Sequence, residues 1–160
     1  MSKRVILVGP SATGKTFIKY KLGEKGFKLD VSYTSRDPRK DEIDGVDYNF
    51  ISKSEFIDRI ERGLFYEYAQ HGESLYGTGL SEWHNSDVFI MESHGVSKII
   101  PEDRKESFVI YVNIPFDIRL DRMRKRGWTK EMIQERTNTD QEKFKNFRNF
   151  DVEISSCTQE

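Results

Sequence analysis

Apolar positions along this chain gather into short unbroken runs separated by long polar stretches. Arg4-Val5-Ile6-Leu7-Val8, Asp87 to Met91 and Phe108 to Ile114 are β-rich runs without polar alternation, which is the pattern of strands buried on both faces. A further strand is expected over Phe27 to Ser32, and a short last one at Val152-Glu153-Ile154. Between the runs the spacing turns helical. One helix is predicted from Lys15 to about Leu22, closed by Gly23 and Gly26. Ser52-Lys53-Ser54-Glu55 reads as a capping box, with Ser52 as N-cap and Glu55 as reciprocal partner. The helix it opens puts Phe56, Ile57 and Ile60 near one face and ends at Gly63. Phe116 to Arg126 reads as a basic helix closed by Gly127, and another begins near Thr129 and runs towards Phe147. Arg36 to Asp47, with Pro38 and Gly45, reads as turns and loop. Strands and helices alternate, which argues for an α/β fold: a parallel sheet with helices on both faces.

Composition narrows the picture. A chain of 160 residues without repeats or low-complexity linkers has room for one proper core, so one domain over 1–160 is expected. No stretch approaches the roughly 18–20 apolar residues that cross a bilayer. The apolar start, Met1 to Gly9, lacks a small-residue cleavage site, so no signal peptide and no membrane partner are expected. Lys and Arg total 26 against 27 Asp and Glu, a net charge of −1. That balance gives no footprint for a nucleic-acid polymer, so any bound anion should be small and held locally. The single cysteine, Cys157, forms no internal disulfide, supports no metal cluster and suits a reducing cytoplasm. His71, His84 and His94 show no ligand spacing and read as ordinary surface or loop residues.

Gly9-Pro10-Ser11-Ala12-Thr13-Gly14-Lys15-Thr16 matches G-x-x-x-x-G-K-[ST] in full, between a predicted strand and a predicted helix. Gly9 and Gly14 let the backbone wrap closely round a phosphate with its N–H groups inward. The helix N-terminus that follows favours the anion. Lys15 is placed for the β- and γ-phosphates and the Thr16 hydroxyl for Mg²⁺. These residues predict a nucleoside triphosphate site. A GTPase would read guanine with Asn-Lys-x-Asp after a strand; Asn138-Thr139-Asp140 has the wrong spacing and lies in a predicted helix.

The segment Ser32-Tyr33-Thr34-Ser35-Arg36-Asp37-Pro38-Arg39-Lys40-Asp41-Glu42-Ile43-Asp44-Gly45-Val46-Asp47-Tyr48-Asn49-Phe50 resembles the monophosphate-binding region of guanylate kinases. Their pattern reads Ser-x-x-Thr-Thr/Ser-Arg-x-Pro-Arg, then Gly-Glu, then Gly-x-Asp-Tyr-x-Phe. The likeness continues into Leu64-Phe65-Tyr66-Glu67-Tyr68-Ala69 and Tyr76-Gly77-Thr78, and covers residues 4 to about 137. It implies a P-loop NTPase-type core (about 1–31 and 81–160), an inserted small α+β lobe for the nucleoside monophosphate (about 32–80) and a helical lid (about 122–137). It implies ATP as donor, GMP or dGMP as acceptor, and Mg²⁺ with the donor. On the donor side it implies Gly9, Ser11, Ala12, Thr13, Gly14, Lys15 and Thr16. On the acceptor side it implies Ser32, Arg36, Arg39, Glu42, Tyr48, Glu67, Tyr76, Thr78 and Glu92. Lys15, Arg39, Arg126 and Arg136 would carry catalysis.

The residue chemistry agrees. Arginine forks suit bidentate capture of a phosphate, and Tyr48 and Tyr76 can donate to the same group. The Glu67 carboxylate can accept from guanine N1–H and the 2-amino group together, where adenine would present a lone pair. Ser32 and Thr78 hydroxyls are expected at the base. Two departures stand out. Family members end the strand before a Gln-Gly turn with Asp-x-Asp, but here the stretch is Ile90-Met91-Glu92-Ser93-His94-Gly95. One acid is lost to Ile90, and Glu92 is left for the metal, for the guanine amino group, or for neither. After the last strand, Ser155-Ser156-Cys157 stands where the family has Asn-Asp near the adenine. A monomer or homodimer fits these readings. A kinase of broader base range and a non-catalytic protein-binding module of the same fold stay open as alternatives.

Overall fold

The computed structural model describes residues 3–156; Cys157 lies outside them. The chain runs through β1 (Arg4–Val8), α1 (Lys15–Glu24), β2 (Tyr33–Thr34), β3 (Asn49–Phe50), α2 (Lys53–Glu61), β4 (Phe65–His71), β5 (Ser74–Gly79) and α3 (Leu80–Asn85). It continues through β6 (Val88–Ile90), α4 (Ser93–Ser97), α5 (Pro101–Lys105), β7 (Ser107–Val112), α6 (Phe116–Lys125), α7 (Lys130–Phe144) and β8 (Val152–Ile154). The core sheet is parallel, in the order β6-β1-β7-β8, and helices flank it. Ile6 and Val8 of β1, Phe89 of β6 and Val109 of β7 are buried with Trp83 of α3 and Phe144 of α7. Unbroken apolar runs form these strands because both of their faces are covered.

The strand expected at Phe27 to Ser32 does not form. Leu29 makes one isolated bridge to Val88, with the Asp30 N–H donating to the Val88 carbonyl at 2.9 Å. Asp30 then turns its carboxylate to the Ser32 hydroxyl, 2.6 Å away, and the chain leaves the core sheet. Residues 33–79 build a second, mostly antiparallel sheet in the order β3-β2-β5-β4, with Phe56 of α2 fully buried against Phe65 of β4. Ser52 caps α2 as expected, accepting from the Glu55 N–H at 3.1 Å. The reciprocal half of the capping box is not made; the Glu55 carboxylate faces Arg59 instead, 3.7 Å away. Thr129 caps α7, accepting from the Met132 N–H at 3.1 Å. Among the described residues no helix is long and apolar enough to cross a membrane.

Candidate active site

The phosphate loop begins where β1 ends against the last turn of β7. A Cβ on Gly9 would stand 2.2 Å from the Val112 carbonyl oxygen, so no other residue fits without moving backbone. Ala12 and Gly14 take left-handed conformations, with φ of 62° and 93°. Ala12 is the non-glycine residue here that carries backbone strain, as tight ligand cradles do. Lys15 folds back under the loop and donates to the Gly9 and Pro10 carbonyls, both at 2.7 Å. Arg122 holds the Ala12 carbonyl at 3.0 Å, and the Thr13 hydroxyl holds Pro10 at 3.2 Å. Carbonyls are thereby pinned on the protein side. At the start of α1 no side chain caps the helix, leaving its first N–H groups for an anion. Burial pushes the Lys15 ammonium down to about 8, against the pull of Glu92 and Asp140.

On the opposite wall Arg36 meets Glu42 with both ends of its fork, Nη1 to Oε1 at 2.8 Å and Nη2 to Oε2 at 2.9 Å. Its Nε donates to the Tyr76 oxygen at 3.2 Å, and the Tyr48 ring packs edge-on to Tyr76. The Glu42 carboxylate also accepts from the Arg39 backbone N–H at 2.7 Å. The Arg39 guanidinium lies 5.2 Å from the Trp128 ring centre.

Glu67 is buried on β4 and pairs across the ladder with Thr78 of β5. The Thr78 hydroxyl donates to it at 2.6 Å. Gly95 of α4 closes the other side, where an added Cβ would meet Glu67 Oε2 at 2.5 Å. Burial pushes the Glu67 carboxyl up to about 7, opposed by the Thr78 hydroxyl and by Lys98. The carboxylate opens onto a cavity of about 30 Å³ lined also by Ser32, Tyr48, Tyr76, Ile90 and Glu92.

The remaining wall is built by the turn between two helices. Arg126 ends α6, Gly127 turns the chain with φ of 81°, and Trp128 follows. On α7, Arg136, Asp140 and Lys143 stand at i, i+4 and i+7, which places them on one face. Asp140 is buried, and its carboxylate accepts from the Ser11 N–H of the phosphate loop at 3.0 Å. Lys143 contacts Glu92 at 3.4 Å. Arg136 and Lys143 meet the two ring nitrogens of His71.

Placed together, loop residues 11–16 share one cleft of about 210 Å³ with Arg36, Arg39, Tyr48, Tyr76, Glu92, Arg126 and Arg136. Four arginines from three separate stretches of chain thus face the loop. Ser32 and Glu67 line the smaller cavity beside it. Gly9 lies beneath the loop, and Glu42 stands behind Arg36. Thr78 is buried beside the smaller cavity, with its hydroxyl donated to Glu67. One expectation is corrected. His71 is not a surface histidine: it ends β4 buried against α7, whereas His84 and His94 are exposed. The sequence reading missed His71, Trp128, Asp140 and Lys143. The spacing of charges on α7 was the available signal, but it also describes an ordinary solvated helix face.

With this geometry in hand, comparison with known proteins gives a consistent result. The family model for guanylate kinase matches residues 1–158. The chain is 38% identical over 171 residues to the guanylate kinase of Mycoplasmopsis pulmonis, covering 98% of this chain and 87% of the relative. It is 38% identical over 138 residues to that of Prochlorococcus marinus (strain MIT 9312), covering 81% of this chain and 74% of the relative. Among solved structures, the guanylate kinase of Anaplasma phagocytophilum superposes with a TM-score of 0.72 at 19% identity, over 97% of this chain and 77% of that one. At that identity the superposition speaks for the fold.

Proposed function

The chain belongs to the guanylate kinase family, and from that premise we propose that its cleft transfers the γ-phosphoryl group of ATP to GMP or dGMP. The observation that carries this reading is the meeting of a phosphate loop, four arginines and a buried carboxylate in adjoining spaces. The residues 32–80 act as the acceptor lobe and the stretch 122–137 as the lid, within one domain. ATP lies with its phosphates on the backbone of residues 11–16. The acceptor phosphate lies on Arg36, Arg39, Tyr48 and Tyr76, with Glu42 orienting the Arg36 fork. Glu67 reads guanine N1–H and the 2-amino group, held in place by Thr78.

An oxygen of the acceptor phosphate attacks the γ-phosphorus. The bond to the β–γ bridging oxygen breaks, and ADP leaves with that electron pair. The acceptor phosphate is already an anion, so no general base is required. Charge spreads over the equatorial oxygens of the transferring group, and Lys15, Arg39, Arg126 and Arg136 stabilise it there. Closure of lobe and lid excludes water and suppresses hydrolysis of ATP.

The residues fit a Mg²⁺ ion bound with ATP. Thr16 offers an exposed hydroxyl beside Lys15, a hard oxygen of the kind Mg²⁺ accepts. Among the described residues no group of three His, Cys, Asp or Glu could hold a metal by itself. Thr16 would hold the ion, whose charge would neutralise the β- and γ-oxygens. Phosphorylated nucleosides do not cross membranes, so the cytoplasm is the compartment proposed, for a monomer or homodimer.

A coupled ADP-release assay with ATP and Mg²⁺, offering GMP, dGMP, AMP, dTMP, CMP and UMP separately, tests the proposal. ADP release that depends on a guanine acceptor, with GDP or dGDP formed, is the expected result. Release with another base would overturn the role of Glu67. Silence with every acceptor from a folded, nucleotide-binding protein would overturn the catalytic reading.

A further inference from the structure

Trp128 is one of two tryptophans, and the other, Trp83, is fully buried in the core. Trp128 is half-buried and lines the cleft, immediately after the turn at Gly127. Its indole faces two cations from different parts of the fold. The Arg39 guanidinium, from the loop between β2 and β3, lies 5.2 Å from the ring centre. The Arg136 guanidinium, from α7, lies 5.8 Å from it. Both distances are within the range of a cation–π interaction.

The ring is itself anchored. The Trp128 backbone N–H donates to the Met123 carbonyl at 3.2 Å, which fixes the chain from which the ring projects. Its side chain packs on the apolar cluster of Ala12, Met123 and Ile133, which is drawn from the phosphate loop, α6 and α7. Arg136 also meets a ring nitrogen of His71, whereas the Arg39 guanidinium has little else to fix it. The carboxylate nearest Arg39, Glu42, is held by the Arg36 fork and meets Arg39 through its backbone N–H. Burial, and after it the proximity of Arg36 and Arg136, works against the Arg39 charge. Two guanidiniums near one site repel each other, and each is a long side chain with many rotamers.

We propose that Trp128 is a positioning residue for the transfer reaction, its indole holding Arg39 of the acceptor lobe and Arg136 of α7 in register with the phosphate loop. An aromatic face attracts both charges without neutralising either, which a carboxylate in the same place would do. The guanidiniums therefore stay available to phosphate oxygens while their rotamers are already selected, and less ordering remains to be done when the nucleotides bind. This inference rests on the kinase reading and deepens it. Trp128 touches no reacting atom in this account; it acts through the two arginines.

The test is a set of double-mutant cycles. Trp128→Leu keeps apolar volume on the cluster but removes the π face, and Trp128→Phe keeps a π face. W128L should lower kcat/KM for GMP about tenfold, through a raised KM for GMP and a lowered kcat, with W128F within about threefold of the native protein. In Arg39→Gln and in Arg136→Gln backgrounds, W128L should cost no more than about threefold. Calorimetric GMP affinity reads the Arg39 arm without turnover: W128L should weaken it several-fold in the native background and not in R39Q. Should W128L fail to fold, Trp128→Met carries the same cycles. A full tenfold loss repeated in both arginine backgrounds, equal weakening of GMP binding with and without Arg39, or native kinetics in W128L would overturn the inference. Absence of guanine-dependent ADP release from the native protein would instead overturn the kinase reading, and the binding cycle would still decide the role of Trp128.

Discussion

The hydroxyl of Thr78 donates a 2.6 Å hydrogen bond to the Glu67 carboxylate, with both side chains buried between β4, β5 and α4. Burial holds the carboxyl near 7 in the folded chain, above its ordinary value in the unfolded one. The folded protein therefore keeps this proton to higher pH than the unfolded chain does, and stability falls as pH rises from about 4.5 through about 7. Glu67→Gln removes that loss. Its stability advantage over the native protein should widen by on the order of 2 kcal/mol between pH 5 and pH 8, read by urea unfolding at both. The same variant should lose at least about tenfold of the preference for GMP over AMP, since a buried donor facing a donor is left unpaired. A gap that is flat with pH would show that the carboxyl is not held protonated.

Gly95 limits where that carboxylate can go. Gly95→Ala improves helix propensity in α4, yet its Cβ would stand 2.5 Å from Glu67 Oε2. The side chain, not the backbone, will yield. G95A should melt within a few degrees of the native protein, with KM for GMP raised about tenfold and KM for ATP unchanged. Steady-state kinetics with each substrate varied in turn will decide; a native KM for GMP refutes the geometry assigned to Glu67.

Lys15→Ala removes the ammonium that pins the Gly9 and Pro10 carbonyls and, in the proposed reaction, faces the donor phosphates. Turnover should fall by roughly a thousandfold or more, the order lost with a preorganised charge at a transition state. Burial lowers the Lys15 pKa to about 8, so at pH 8.5 much of it is neutral until an anion arrives. ATP binding restores the charge and should take up a proton at that pH. Calorimetry in two buffers of different ionisation enthalpy measures the uptake, which K15A should abolish.

His71 gives the opposite pH dependence. Burial holds its pKa down near 4, with Arg136 and Lys143 acting the same way and Glu92 and Asp140 against it. Below pH 6.5 the unfolded chain binds a proton that the folded chain refuses, so stability is lost as pH falls from 6.5 towards 4. His71→Gln should reduce the loss between pH 7 and pH 5 by on the order of 1–2 kcal/mol. Equal losses in both proteins would place the acid sensitivity elsewhere.

Much of the fold was legible because its signals are local. The runs at Val5, Val88 and Val109 became β1, β6 and β7, since an apolar run closed by turns has one way to be buried. The expected strand at Phe27 to Ser32 failed for a reason outside its own residues. Pairing with Val88 lasts only as far as Asp30, whose carboxylate is committed to Ser32. Phe65 to Gly79 gave no clean alternation, yet it forms a hairpin because Glu67, Ala69 and His71 all turn inward, two of them polar residues that need particular partners.

The phosphate loop was legible in eight consecutive residues, because they contain the glycines, the lysine and the helix start that a phosphate cradle requires. The chemistry of the proposed acceptor groups was legible as well, since arginine forks and a carboxylate state it in their functional groups. Tertiary structure alone decided which of these would be buried, paired or aimed. Glu67 and Gly95 are 28 positions apart in the chain, Ser11 and Asp140 are 129, and Arg39 and Trp128 are 89. A side chain's pKa, rotamer and reach depend on what stands within a few ångströms of it. That neighbourhood exists only once strands and helices from distant segments have packed.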